Sequence, residues 1–189
     1  EQINNLDPPL TILAVGGEES YWMNRGFGNN EDIQITLLNL KKKAALFHNF
    51  TSIAGDATDL SNFSDNEFDI VFSNSVIEHL STLENQTKMA KEVKRVGKYY
   101  FIQTPNKFFI IEPHFLLPFF QFLPKTLQYF ILTKTKLSRM KKWNSKNAKK
   151  NIEEIRLISK KEMKTLFPSS KFDIERILGL TKSFTAHNF

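Results

Sequence analysis

Five short apolar runs, each ending in small or polar residues, constrain this chain more than any other feature. They are Thr11–Val15, closed by Gly16 and Gly17; Ile33–Leu38; Thr51–Ala54; Phe68–Ser73; and Lys98–Gln103. Candidate helices fall between them at Ser20–Gly26, Lys41–Asn49 and Leu83–Val96. The last opens on a capping-type sequence and places Met89, Val93 and Val96 on one helical face. Strands alternating with helices predict an α/β fold with a mostly parallel sheet and helices on both faces. Near the C-terminus, Phe172–Leu178 and Leu180–His187 flank Gly179, which predicts an antiparallel hairpin. A length of 189 residues suits one domain, 1–189, with a full core.

The fourth run carries the clearest ligand signal. Phe68–Ser73 reads as a buried strand that passes through Asn74 and Ser75 into a helix carrying Glu78 and His79. Ligands of open α/β sheets bind outside the carboxyl ends of the strands. Gly55, Asp56 and Ala57 mark a second such end, with a turn glycine beside a carboxylate.

Composition narrows the function classes. The chain has no cysteine, which excludes disulfides and thiolate metal sites, and no metal site is expected. No apolar run approaches the roughly 20 residues of a membrane span. Glu1–Pro9 lacks the order of a signal peptide, and the absence of an initiator Met reads as a trimmed or partial chain. The expected location is the cytoplasm. The formal net charge of +6 is local: residues 134–150 hold eight basic side chains and no acid, leaving 18 basic against 20 acidic elsewhere. A confined basic patch argues against a nucleic-acid partner.

After Thr104-Pro105-Asn106 the pattern changes. Phe108–Phe130 holds eight aromatic residues among 23, punctuated by prolines, and the basic stretch follows. Residues from about 106 to 150 read as a lid or substrate insertion. Its rings either line an apolar acceptor pocket, pack a lid onto the core, or make peripheral membrane contact through residues 108–150 beside the basic patch. Residues 134–150 read as a solvated loop, with anion or headgroup binding as the alternative. A helix at Lys160–Phe167, stopped by Pro168, precedes the hairpin.

These elements and motifs resemble a class I S-adenosylmethionine-dependent methyltransferase of the small type 11 kind. The best local matches are Gly55–Leu80, and Arg156–Pro168 with Leu178–Phe184; Pro105-Asn106 and Ile111–Phe115 resemble a subgroup. The resemblance implies a Rossmann-like seven-stranded sheet closed by the C-terminal hairpin. It implies S-adenosylmethionine as cofactor and S-adenosylhomocysteine as product. It places the cofactor against Val15, Gly16, Gly17, Glu18, Asn39, Leu40, Asp56, Ala57, Asn74, Ser75 and Val76. Asp56 would accept from the adenine amine; the alternative is a turn cap.

Two departures stand out. Ala14 replaces the usual strand-end acid, and Glu18 and Ser20 stand where glycines are expected. Glu18 or Glu19 either pairs with the positive methionine end of the cofactor or is solvated. Asn39 replaces the usual ribose-clamping acid and either contacts hydroxyls without charge assistance or is a turn residue. His79 and His114 are the candidate bases, since imidazole titrates near neutrality. Glu78, Asn106, Glu112 and His114 are the candidate substrate contacts; His48 and His187 show no partner pattern. The expected reaction is methyl transfer to a small-molecule or lipid- or saccharide-linked acceptor, at oxygen. The alternative is a catalytically silent binding or scaffold protein. A nicotinamide oxidoreductase is disfavoured, because the loop does not read Gly-x-Gly-x-x-Gly.

Overall fold

A computed structural model describes residues 6–189; the reading of Glu1–Pro9 therefore falls partly outside the described residues. Seven strands form one sheet: β1 (Leu10–Val15), β2 (Ile33–Asn39), β3 (Phe50–Ala54), β4 (Phe68–Asn74), β5 (Gly97–Pro105), and, after a two-strand excursion, β8 (Lys171–Ile177) and β9 (Leu180–His187). Their order is β3-β2-β1-β4-β5-β9-β8. The first five pair in parallel, and β9 inserts antiparallel between β5 and β8. The chain winds outward from β1 to β3, then crosses to β4 on the other side of β1. That reversal is the switch point at which such sheets hold ligands.

Helix α1 (Glu19–Met23) covers one face of the sheet, through Trp22 against Ile12, Ile35 and Ile70. Helices α2 (Leu83–Val96) and α5 (Lys160–Leu166) cover the other, packing Met89, Val93, Met163 and Leu166 around Val71, Ile102 and Phe184. Each such side chain taken fully from water contributes about 1.5–3 kcal/mol. The Thr82 hydroxyl caps α2 by accepting from the Asn85 N–H at 3.1 Å, which offsets one unsatisfied donor of the first turn.

Helix α5 begins with a capping box, in which the Glu162 carboxylate accepts from the Ser159 N–H and hydroxyl. Partial burial pushes the Glu162 carboxyl up. The two Ser159 bonds and the Arg156 guanidinium outweigh it and bring it down to about 2, from an ordinary 4.5. A depressed carboxyl favours the folded state above its unfolded value and loses that contribution as pH falls through the folded one. Urea midpoints at pH 6 and pH 3 should therefore differ more in the wild type than in Glu162→Gln. Equal differences would show that this cap does not feed acid stability.

Between β5 and β8 lies a separate small cluster. It contains the hairpin β6 (Ile111–Glu112) and β7 (Leu117–Pro118), then α3 (Lys125–Lys134) and α4 (Ser145–Glu154). Phe115, Phe120, Leu132, Ala148 and Ile152 form its core. The segment returns to the sheet where Asn106 bridges Ile158.

Four expected elements differ. Residues 41–49 are irregular rather than helical. The Glu19 carboxylate accepts from the Leu46 and Phe47 N–H groups, and the Ser52 hydroxyl accepts from the Lys43 N–H. Leu40 and Leu46 are exposed, so no buried apolar stripe favours a helix. Glu78 and His79 lie on a single 3₁₀ turn, Ile77–His79, and not in a helix. The basic stretch is no loop throughout, because α4 occupies its second half, capped by Asn144 and anchored by buried Ala148 and Ile152. The first helix is also shorter than expected, its end followed by a turn at Gly26, whose φ is +82°.

Candidate active site

Strand register brings the candidate cofactor residues to one edge of the sheet. Val15 pairs with Leu38 and with Ser73, Asn39 with Ala54, and Asn74 with Gln103. Gly16, Leu40, Asp56 and Ser75 each follow one of these positions within two residues. Gly16 adopts φ +70°, and a Cβ there would lie 2.4 Å from a methyl of Val76. The turn after β1 is thus pressed under the turn after β4, an approach only glycine permits. Ser75 holds φ +56°. Its N–H donates to the Gln103 carbonyl at 3.1 Å, and its hydroxyl donates to Gln103 Oε1 at 3.0 Å. A non-glycine residue held in this region stores strain that its neighbours offset.

The residues that depart from the expected glycine loop are tied to one another. Glu18 ion-pairs with Lys43, both half-exposed. The Asn39 side-chain N–H donates to the Gly17 carbonyl at 2.8 Å, which leaves its Oδ1 as an acceptor. Ala14 is fully buried, and a Cβ on Gly17 would stand 2.7 Å from the Ala14 methyl. Asp56 Oδ1 accepts from the Thr58 N–H and hydroxyl, both at 2.8 Å. Asp56, an exposed residue, thus caps its turn through Oδ1 alone, while Val15 and Ala57 are buried.

Two cavities flank this edge. One, of about 350 Å³, touches Gly17, Glu18, Ser20 and Asn39. The other, of about 870 Å³, touches Asn74 and Ser75 and is walled by Phe101, Phe109, Ile111 and Leu116. The hairpin contributes Asp173, Glu175, Lys182 and Ser183 to its far side. Neither Phe101, Gln103 nor these hairpin residues were among the candidates. Period-two alternation along β5 does separate Phe101, Gln103 and Pro105 from the buried Tyr100, Ile102 and Thr104.

A titratable cluster lies next to the larger cavity, joined to it through Pro113. His114 Nδ1 meets Glu112 Oε1 at 2.7 Å, and His114 Nε2 faces His79 Nε2 at 3.2 Å. Glu112 also accepts from the Phe115 N–H at 2.7 Å. Glu78 is fully buried beside them; one oxygen accepts from the Thr104 hydroxyl at 3.0 Å, and the other has no partner. Burial pushes the Glu78 carboxyl up to about 7, against the opposing pull of the Thr104 hydroxyl. Desolvation and neighbouring His114 hold the His79 imidazolium below its ordinary value, despite the counteracting charge of Glu112. Four of the candidate residues thus form one constellation. Asn106 does not join it: its amide donates to the Thr181 carbonyl at 2.9 Å and accepts from the Phe108 N–H.

Buried Gln86, which sequence reasoning passed over, supports this constellation. Its amide donates to the Ile77 carbonyl at 3.0 Å and to the Arg156 carbonyl at 2.9 Å. The Arg156 N–H in turn donates to the Glu78 carbonyl at 2.7 Å.

Comparison with known proteins agrees with this geometry. A family profile described as "Methyltransferase domain" matches residues 23–99. Among solved structures, a SAM-dependent methyltransferase from Methanosarcina mazei is 13% identical, with a TM-score of 0.58 over 98% of this chain and 94% of that one. A putative methyltransferase of Haloferax volcanii, solved with the Trm112 activator, is 11% identical, with a TM-score of 0.60 over 96% and 82%. A SAM-dependent methyltransferase from Aquifex aeolicus is 14% identical, with a TM-score of 0.52 over 98% and 86%. No curated protein sequence matches. The chain has the class I S-adenosylmethionine-dependent methyltransferase fold. The methyltransferase-domain profile covers less than half of the chain, and S-adenosylmethionine is the cofactor that this profile and the fold imply.

Proposed function

We propose that this chain transfers the methyl group of S-adenosylmethionine to a hydroxyl oxygen of an acceptor, lipid-linked in preference to freely soluble. The observation that carries the reading is the 870 Å³ cavity. It begins at Asn74 and Ser75, on the strand edge where the methionine end of the cofactor belongs, and continues between aromatic and aliphatic walls. Across the switch point, Asn39 Oδ1 and the free oxygen of Asp56 suit ribose and adenine donors. Gly16 supplies the close backbone approach.

Methyl transfer is an in-line displacement at a carbon already activated by sulfonium. Alignment and exclusion of water therefore contribute most of what the protein adds. An oxygen nucleophile must also lose its proton. The titratable cluster of Glu78, His79, Glu112 and His114, next to the cavity through Pro113, supports this reading as the site of proton removal.

The preference for a lipid-linked acceptor rests on the insertion. Phe108, Leu116, Phe119, Phe122, Phe130 and Met140 are all exposed within it, beside the basic run at 134–150. Such a surface suits the boundary of an anionic bilayer.

Methyl-labelled S-adenosylmethionine, offered with lipid-linked alcohols in anionic vesicles and with soluble alcohols and amines, tests this. Label should appear in an organic-extractable methyl ether, faster with vesicles than without. Label found only on amine nitrogen would overturn the oxygen assignment, and transfer indifferent to vesicles would overturn the lipid preference.

A further inference from the structure

We infer that Glu78, His79 and His114 form a binding site for a divalent first-row transition metal, with Glu112 orienting His114. One carboxylate oxygen of Glu78 and one imidazole nitrogen from each histidine lie within 4.8 Å of one another. The two imidazoles present Nε2 to Nε2 at 3.2 Å. Neighbouring ligands of a tetrahedral zinc ion, at about 2.0–2.1 Å from the metal, stand roughly 3.3 Å apart. Two histidines and a carboxylate are also the ligand set of zinc hydrolases and of non-haem iron sites.

Three further observations point the same way. First, one oxygen of Glu78 has no hydrogen-bond partner although the residue is fully buried. An orphaned buried carboxylate oxygen is costly, and a cation is one of the few groups that satisfies it. Second, Glu112 binds His114 Nδ1 at 2.7 Å. That is the carboxylate–histidine arrangement that fixes the ring and turns its other nitrogen toward a metal. Third, Glu78 and Glu112 are both buried, at 0% and 2% exposure. Among the described residues, neither forms an ion pair with a lysine or arginine. A divalent cation neutralises such a pair.

Three protein ligands leave a further coordination position open. Pro113, between Glu112 and His114 in the chain, lies on the cavity wall. An acceptor hydroxyl bound at the open position would be made more acidic by the metal and would give its proton to solvent water, with the histidines acting as ligands rather than as bases. This role, unlike the binding itself, rests on the methyl-transfer reading above.

The test uses untagged full-length chain, stripped with chelator and dialysed against zinc, with cobalt as a spectroscopic substitute. The wild type should hold one equivalent of zinc, give the visible absorption of low-symmetry cobalt, and melt at a higher temperature with zinc. His79→Gln, on the exposed side of the cluster, and His114→Ala should each weaken binding by about 100-fold, and Glu112→Gln by roughly 10–100-fold. His48→Ala, distant from the cluster, should bind as the wild type does. Absence of stoichiometric zinc in folded wild-type protein would overturn the site, as would unchanged binding in a His79→Gln, His114→Ala double variant. S-adenosylhomocysteine titration of the same samples separates the two readings. Cofactor bound without zinc defeats only the metal site. Zinc bound without cofactor defeats only the methyl-transfer reading.

Discussion

A Gly16→Val variant should lose both cofactor binding and a substantial part of its stability. At φ +70° the new Cβ would stand 2.4 Å from Cγ2 of Val76. The left-handed backbone costs an L-residue about 1–2 kcal/mol, and a β-branched one suffers more. Overpacking against Val76 adds about 1–3 kcal/mol. For a chain of this size the sum lowers the melting temperature by roughly 5–15 °C. Relief comes only by pushing the turn after β4 away from the turn after β1, which separates Gly16 from Asn74 and Ser75. Calorimetric titration with S-adenosylhomocysteine should therefore show at least a 100-fold loss of affinity at a temperature where the variant remains folded. Undiminished affinity would mean that the contact between these two turns does not shape the cofactor site.

Gln86→Leu should be nearly as damaging, although Gln86 touches no cavity at the strand edge. Leucine fits a helix face and suits burial, yet it leaves the Ile77 and Arg156 carbonyls without the donors now at 3.0 and 2.9 Å. It also removes the acceptor that Arg156 Nη1 reaches at 2.6 Å. The Ile77 carbonyl keeps only the long 3.4 Å bond from the Leu80 N–H, and each group that loses its partner costs about 1–3 kcal/mol. Partly offset by the apolar burial gained, the net loss is roughly 2–4 kcal/mol. The functional effect follows from the turn that Gln86 fixes, which carries Glu78 and His79. Methyl transfer should fall more than S-adenosylhomocysteine affinity, because the cofactor edge at Gly16 and Asn39 is untouched. Gln86→Glu, which retains an acceptor but supplies no amide donors, should resemble Gln86→Leu. A variant with intact turnover and lowered stability would reduce Gln86 to a purely structural role.

What the sequence showed plainly was whatever depends on local pattern. The five parallel strands lie where their apolar runs fall, the first four extended by one residue each and the fifth by three. Leu83–Val96 is helical over the span that its cap and its Met89, Val93 and Val96 stripe mark out. Gly179, at φ +79°, turns the closing hairpin. What stayed hidden depends on partners far along the chain. Lys41–Asn49 has helix-forming residues, but Glu19 and Ser52 hold its backbone N–H groups in an irregular path.

The aromatic insertion shows the same limit. Its composition does not tell that Phe115 and Phe120 are buried while Phe108 and Phe119 are exposed. At the site, His79 and His114 were separate candidates, 35 residues apart. Only the fold places them nitrogen to nitrogen, with Glu78 and Glu112 alongside. The same holds for Glu18, whose partner Lys43 is 25 residues away. An ion pair on the loop surface was not foreseen for a position read as either a cofactor contact or a solvated acid.

The central claim is that the strand edge formed by Gly16, Asn39, Asp56 and Asn74 holds S-adenosylmethionine. Isothermal titration of the wild type with S-adenosylhomocysteine tests it most directly, with Asp56→Ala as the paired sample. One site per chain, weakened at least tenfold by Asp56→Ala, is the predicted result. No heat from folded wild-type protein at millimolar ligand, with either S-adenosylhomocysteine or S-adenosylmethionine, would contradict it.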